Sequence, residues 1–316
     1  MRTKITIIGA GNVGGTTAHR LAEKELGEEI VLLDAYAGIA KGKALDMVEA
    51  GPVCGYGTKV LGTDNFEDIK DSSITIITAG FPRRPGMTRE ELLLTNAEVV
   101  KKIVVEVVRV APKTIIIMVT NPLDAMAYLA YRVSGFPRER VIGMAGVLDS
   151  ARLRTFVAME LGISTENIQA MVLGSHGETM VAVPSLTTVA GVPVSELIPK
   201  ERLDAVIERT RKGGQEILEL LKTGSTFYAP SAAIAKMVEA ILKDKKEILP
   251  CTAFCQGEYG IRDIFIGVPV KLGRRGMEGI TSLPLTPEEL KALQKSAAAI
   301  RPQCEEIERF LQEIKV

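Results

Sequence analysis

The segment Gly174-Ser175-His176-Gly177-Glu178 carries one of only two histidines in the chain, directly after an apolar run, 169–173, that reads as a strand. An imidazole is the side chain best suited to take or give a proton near neutral pH. Its Gly and Ser neighbours suit a backbone packed close to another group. The other histidine, His19, falls inside a predicted helix and reads as a packing or surface residue. Asp149 and Arg152 stand at the start of another predicted helix, and their i, i+3 spacing puts them on one face. A carboxylate beside an imidazole would fix its tautomer, raise its pKa and stabilise the imidazolium. An arginine one turn later would grip a carboxylate ligand bidentately. Spacing alone leaves open the plainer alternative, a helix-start carboxylate with a surface partner.

Two further clusters have the composition of anion sites. Phe81-Pro82-Arg83-Arg84-Pro85-Gly86-Met87-Thr88-Arg89 follows a predicted strand, and its prolines and glycine exclude regular structure as far as Thr88. Thr88 is the expected N-cap of the next helix, with Glu91 at N3 closing a capping box. Three arginines on such a loop suit a visiting anion; a solvated charge run is the alternative. Val119-Thr120-Asn121-Pro122 ends another strand at the same sheet edge, where the Asn121 amide can bond a ligand or cofactor. Nearer the N-terminus, Gly9-Ala10-Gly11-Asn12-Val13-Gly14 links the first strand to the first helix. Gly9 permits a tight turn, Gly11 admits a pyrophosphate to the backbone, and Gly14 allows close helix–strand packing. The helix then offers free N–H groups and a positive dipole end to phosphates. Asp34, at the end of the second strand, can accept both ribose hydroxyls and would repel a 2′-phosphate, so NAD is favoured over NADP.

These groups need a frame that brings them to one edge. Apolar, β-branched runs at 5–8, 30–33, 74–78, 115–120 and 141–142 suit strands buried on both faces of a parallel sheet. Helical patterns at 13–26, 37–49, 90–110 and 123–133 lie between them. This alternation predicts an α/β fold, a doubly wound parallel (Rossmann-type) sheet with ligands at the carboxyl ends of its strands. After residue 147 the texture changes to helices at 150–161, 200–221 and 231–242, with β-rich 252–270 and a turn at 273–276. A second, α+β substrate domain is expected, giving a division into 1–146 and 147–316. Thr286, Pro287 and Glu289 open a final helix that Pro302 should kink or split.

Composition narrows the class. Of 316 residues, 46% are hydrophobic and 25% charged, the balance of a soluble globular enzyme. Lys plus Arg and Asp plus Glu both number 39, which argues against a nucleic-acid partner. No apolar run is long enough to span a bilayer and no leader-like segment opens the chain, so neither a membrane nor a secreted location is expected. Cys251 and Cys255, if on one strand, would lie about 13 Å apart, too far for a disulfide. Reduced thiols in a cytoplasmic protein without a metal site are the expectation.

Taken together, these residues resemble the lactate/malate dehydrogenase family, and within it the malate enzymes close in sequence to lactate dehydrogenases. The likeness spans the chain and rests on the glycine motif, Thr78-Ala79-Gly80, Val119-Thr120-Asn121-Pro122, Asp149-Ser150-Ala151-Arg152 and Gly174-Ser175-His176-Gly177. It implies an NAD-dependent 2-hydroxy acid dehydrogenase acting on a dicarboxylate, malate, and assembled as a homodimer or homotetramer. His176 would be the proton acceptor and donor, Asp149 its orienting partner, and Arg152 the holder of the C1 carboxylate. Asn121 would contact substrate and nicotinamide, and Asn96 and Val119 the cofactor. Arg89, on a closing loop 81–89, would polarise the C2 oxygen. Arg83 stands where malate enzymes carry Arg and lactate enzymes typically Gln, whereas Thr226 matches the lactate side. A lactate dehydrogenase of the same family is the nearer rival. An NAD-dependent glycosidase, which needs metal on Cys and His ligands, is the rival from another class.

Overall fold

The computed structural model describes residues 3–82, 86–224 and 226–313; Arg83 and Arg84 lie outside the described residues. The first half alternates strand and helix: β1 (Lys4–Ile8), α1 (Asn12–Glu23), β2 (Glu29–Leu33), α2 (Ala37–Cys54), β3 (Lys59–Thr63), β4 (Ile74–Ile77), α3 (Arg89–Val110), β5 (Ile115–Met118), α4 (Leu123–Ser134) and β6 (Val141–Gly143). The strands pair in parallel in the order β3-β2-β1-β4-β5-β6, with the reversal after β1 that defines a doubly wound sheet. Ile5, Ile7, Ile30, Leu32, Ile74, Ile76, Ile116 and Ile117 are wholly buried, because helices cover both faces and leave no polar side to the strands.

One strand escaped the sequence reading. β3 is the edge of the sheet, and Lys59 and Leu61 are exposed, so Lys59-Val60-Leu61-Gly62-Thr63 lacks the continuous apolar signature of its neighbours. α2 also runs further than expected, through Pro52 to Cys54, before Gly55 closes it in the left-handed conformation.

The second half comprises α5 (Gly146–Leu161), β7 (Ile168–Gln169), β8 (Val172–Gly174), β9 (Met180–Ala182), β10 (Thr188–Val189), β11 (Val192–Pro193), α6 (Val194–Leu197), α7 (Lys200–Leu221), α8 (Tyr228–Leu242), β12 (Glu247–Gln256), β13 (Arg262–Gly273), β14 (Gly276–Ile280) and α9 (Pro287–Glu313). The run at 169–173, expected as one strand, is divided: β7 joins a small sheet with β10 and β11, whereas β8 pairs with β13. The large sheet continues antiparallel from β6 into β12, β13, β8 and β9 through a single register pair, Thr252 with Gly143. A parallel cofactor-type half and an α/β second half thus share one sheet.

α9 begins with the expected capping box: Glu289 N–H donates to Thr286 Oγ1, and Thr286 N–H donates to Glu289 Oε2. Pro302 does not split it; the helix is continuous from Pro287 to Glu313.

The glycine turn shows why it must be glycine. Gly9 has φ +105° and a side chain there would meet Ala79 N at 2.7 Å, while a Cβ on Gly14 would overlap the Gly9 carbonyl oxygen. Gly14→Ala should therefore lower the free energy of unfolding by about 1–3 kcal/mol. Urea denaturation followed by circular dichroism measures this, and an unchanged midpoint would refute the close approach.

Candidate active site

The carboxyl ends of β1, β4 and β5 carry loops that hydroxyl and amide side chains tie together. Thr78 Oγ1 donates to the carbonyls of Ile8 and Gly9, and Thr120 Oγ1 to that of Ala79 at 2.7 Å. Asn96, 1% exposed on α3, accepts the Phe81 N–H at 2.8 Å. Its amide group donates to the carbonyls of Phe81 (3.1 Å) and Asn121 (2.7 Å). The Asn96 side chain is therefore fully engaged in holding the loop after β4 to the loop after β5. Asn121 itself is exposed at the mouth they form, with Val119 half-buried beneath it.

The glycine turn opens onto this edge. Gly11 is the N-cap of α1 and no side chain caps the first turn, so N–H groups of Asn12, Val13 and Gly14 remain for a ligand. A Cβ placed on Gly11 would meet nothing within 4 Å, which leaves the backbone open to close approach. Asp34 stands beside it: Oδ2 accepts the Ala10 N–H at 2.7 Å and Oδ1 the Tyr36 N–H at 3.0 Å. Each oxygen keeps a lone pair for a ribose hydroxyl. Sequence reading missed Lys43 of α2, whose ammonium donates to the Ala10 and Gly11 carbonyls at 2.8 and 3.1 Å. It braces the turn and adds positive charge where phosphates would lie. An uncapped helix start, open space at Gly11 and an anchored carboxylate fit a dinucleotide.

An imidazole–carboxylate pair is assembled from distant segments. α5 begins at Gly146, four residues earlier than expected, so Asp149 lies in its first turn with Arg152 one turn on. Asp149 is buried, and its Oδ2 stands 2.8 Å from His176 Nδ1 while its Oδ1 accepts an N–H of Arg152 Nη1 at 3.1 Å. Gly213 and Gly214 of α7 leave the space that the Arg152 side chain occupies. The His176 side chain is 18% exposed and follows the end of β8. With a carboxylate on Nδ1, the neutral ring carries its proton there and presents Nε2.

Burial alone would push the imidazole below its ordinary value near 6.5. The Asp149 charge and hydrogen bond outweigh that, with a contribution from Asp124 and against Arg152, so the pKa is raised. Arg89, at the first position of α3, reaches the same loop: its guanidinium donates to Glu178 Oε1 at 2.7 Å, both side chains being exposed. The Thr88–Glu91 capping box expected there is present. His19 sits on the surface of α1, 3.7 Å from Glu23.

Comparison with known proteins gives the same picture. The model for the NAD binding domain of lactate/malate dehydrogenase matches residues 3–143, and that for the alpha/beta C-terminal domain matches residues 146–311. A malate dehydrogenase of Roseiflexus castenholzii is 55% identical over 300 residues, covering 95% of this chain and 97% of that protein. One from Chloroherpeton thalassium is 53% identical over 309 residues, covering 98% and 100%. Among solved structures, a malate dehydrogenase from Salinibacter ruber superposes with a TM-score of 0.94 at 47% identity, covering 98% and 99% of the two chains. A lactate dehydrogenase from Cryptosporidium parvum, complexed with lactic acid and nicotinamide adenine dinucleotide, also gives 0.94, at 41% identity and 98% of each chain. With both of its halves matched and relatives above half identity along nearly its whole length, the chain belongs to the NAD-dependent lactate/malate dehydrogenase family.

Proposed function

We propose that this chain is a malate dehydrogenase, moving hydride reversibly between NAD and C2 of malate to give oxaloacetate and NADH. The observation that carries the reading is the 2.8 Å pair of His176 Nδ1 with the buried Asp149, in a chain more than half identical to proteins named malate dehydrogenase.

NAD, when bound, supplies the hydride acceptor. The remaining work falls to this chain's residues. Asp149 keeps a proton on Nδ1 and aims Nε2 outward. Neutral His176 takes the C2 hydroxyl proton at Nε2 in oxidation, and the imidazolium returns it in reduction. Arg152 holds the C1 carboxylate with the guanidinium N–H groups that Asp149 does not use. Asn121 bonds substrate from its exposed position, and Arg89 turns from Glu178 to the C2 oxygen when loop 81–89 closes and expels water. Arg83 meets the distal carboxylate. Gly9, Gly11, Asn12, Val13 and Gly14 line the pyrophosphate, Asp34 takes the ribose hydroxyls, and Asn96 and Val119 shape the nicotinamide end.

Three coarser readings accompany this one. The division of labour falls near residue 146, where parallel pairing gives way to antiparallel, with 1–146 serving the cofactor and 147–316 the substrate. The chain acts as a homodimer or homotetramer; Leu45 and Val53, 60% and 88% exposed on α2, supply apolar surface for it, and light scattering would measure the mass. The location is cytoplasmic, in keeping with four free cysteines.

A direct test compares oxaloacetate with pyruvate as substrates for NADH oxidation. A guanidinium buried on closure needs the distal carboxylate, and a site built for a polar group rejects the analogue lacking it by about 10⁴–10⁵-fold. The wild type should prefer oxaloacetate, and Arg83→Gln should lower the ratio of kcat/KM values by several powers of ten. An unchanged ratio removes Arg83 from this role, and wild-type preference for pyruvate would make the chain a lactate dehydrogenase.

The raised pKa of His176 sets the pH dependence. Reduction needs the imidazolium, so its rate should fall as pH rises through a value above 6.5. Malate oxidation needs the neutral ring and should rise through the same value. Asp149→Asn removes the principal raising influence and should move both limbs to lower pH. Initial rates across pH 5–10 test this, and limbs that stay in place on that substitution would falsify the pairing.

A further inference from the structure

A cavity of about 510 Å³ opens at the amino ends of β5 and β6, the end of the sheet opposite the rim that carries Gly11 and Asn121. Its volume falls within the range of about 300–1,000 Å³ usual for small-molecule sites. Three separate segments bring cations to it: Lys113 from the approach to β5, Arg140 from the turn into β6, and Arg274 and Arg275 from the turn joining β13 to β14. In a chain whose acidic and basic residues balance, four cations around one hollow are a local excess. The two carboxylates that share the lining are already engaged. Both oxygens of Glu278 accept Lys246 Nζ at 2.6 Å, and Glu139 lies 3.6 Å from Arg138 Nε. Among the described residues, no carboxylate comes within ion-pair distance of Lys113, Arg140 or Arg274.

The cations are held in place. Gly276 has φ +91° and a Cβ there would overlap the Glu139 carbonyl oxygen, so the β13–β14 turn seats directly on the turn before β6. The Arg274 N–H donates to Asp244 Oδ1 at 2.7 Å and anchors the same turn. Arg140 stacks on Phe136, its Cζ 4.1 Å from the ring centroid, and its Nη1 donates to the Pro112 carbonyl at 2.8 Å. Its Nε and Nη2 make no hydrogen bond among the described residues. Burial pulls this guanidinium below its usual pKa, and no opposite charge offsets that cost.

We propose that this cavity binds a polyphosphate chain, held by Lys113, Arg140, Arg274 and Arg275 and separate from the site around His176. A guanidinium presents several N–H donors in a fork, and each phosphate group offers more acceptor oxygens than a carboxylate does. Cations spread over three segments suit charges spaced along a chain better than one compact anion. Ile115, Pro137 and Met277 give the cavity an apolar side, on which the base of a nucleoside polyphosphate would rest. Lys113 and Arg140 belong to the parallel half and the other two cations to the antiparallel half, so the bound anion bridges them. The inference does not depend on the substrate proposed above.

Isothermal titration calorimetry tests it on the intact protein saturated with NADH, which fills the glycine turn. Sodium tripolyphosphate and ATP should bind at low salt with Kd below about 1 mM. Binding should weaken as salt is raised to physiological strength. Lys113→Gln combined with Arg274→Gln, both on exposed side chains, should weaken it at least about tenfold, with NADH affinity within about twofold of wild type. ATP bound more tightly than tripolyphosphate assigns the apolar side to a nucleoside; equal or weaker binding assigns the site to the phosphate chain alone. Absence of saturable binding, citrate bound as tightly as tripolyphosphate, or an affinity unchanged in the paired variant overturns the proposal. Should that pair not fold, Arg275→Gln, at a side chain 80% exposed, decides instead: it should weaken binding at least about threefold, and an unchanged Kd overturns the proposal.

Discussion

A carboxylate can remain charged in a protein interior only where donors reach it, and the candidate site is organised around meeting that condition for Asp149. Its two oxygens are served by different partners, His176 Nδ1 and Arg152 Nη1, so one buried charge fixes the orientation of both. Take the carboxylate away and the imidazole would lose the main influence that raises its pKa and be free to turn, and the guanidinium would lose its bearing. α5 must therefore place its first turn beside the end of β8, although 27 residues of chain separate Asp149 from His176. The antiparallel sheet through β12 and β13 makes that meeting possible.

The parallel half solves a different problem, presenting backbone rather than side chains. Its strands end together, and the loops beyond them are joined by Thr78, Thr120 and Asn96, each bonded to main-chain atoms of a neighbouring loop. The result is a fixed rim on which an uncapped helix start, an anchored carboxylate and the Lys43 ammonium stand in one place. Such a rim is prepared for an elongated anion before any arrives, which limits the ordering that binding must bring about.

The two halves meet where a single strand pair, Thr252 with Gly143, carries the sheet from parallel to antiparallel. Asp124 bonds Thr252 at that joint and His176 beyond it. These buried polar contacts stand within one hydrophobic core that runs through both halves, from Ile5 and Ile116 to Val238 and Phe265. Networks of this kind are rigid while every member is satisfied and costly once one is lost.

Much of this was legible in the order of residues. The isoleucine-rich runs determined the buried parallel strands, the glycine spacing the tight turn into α1, and the Thr88 and Thr286 boxes the helix starts, because each depends on neighbours a few positions away. Local pattern failed where burial was one-sided or the partner was remote. β3, an edge strand, looked too polar; the run at 169–173 was divided between two sheets; Pro302 was carried within a continuous helix. The bracing of two loops by Asn96 had no local signature, and Lys43, Ser296 and Asp124 gave no signal at all. Side-chain type and spacing can say that a carboxylate and an imidazole are present. Whether they lie 2.8 Å apart, 27 positions from one another, is decided by how sheets and helices pack, and so is the meeting of Asp124 with Thr252, 128 positions away.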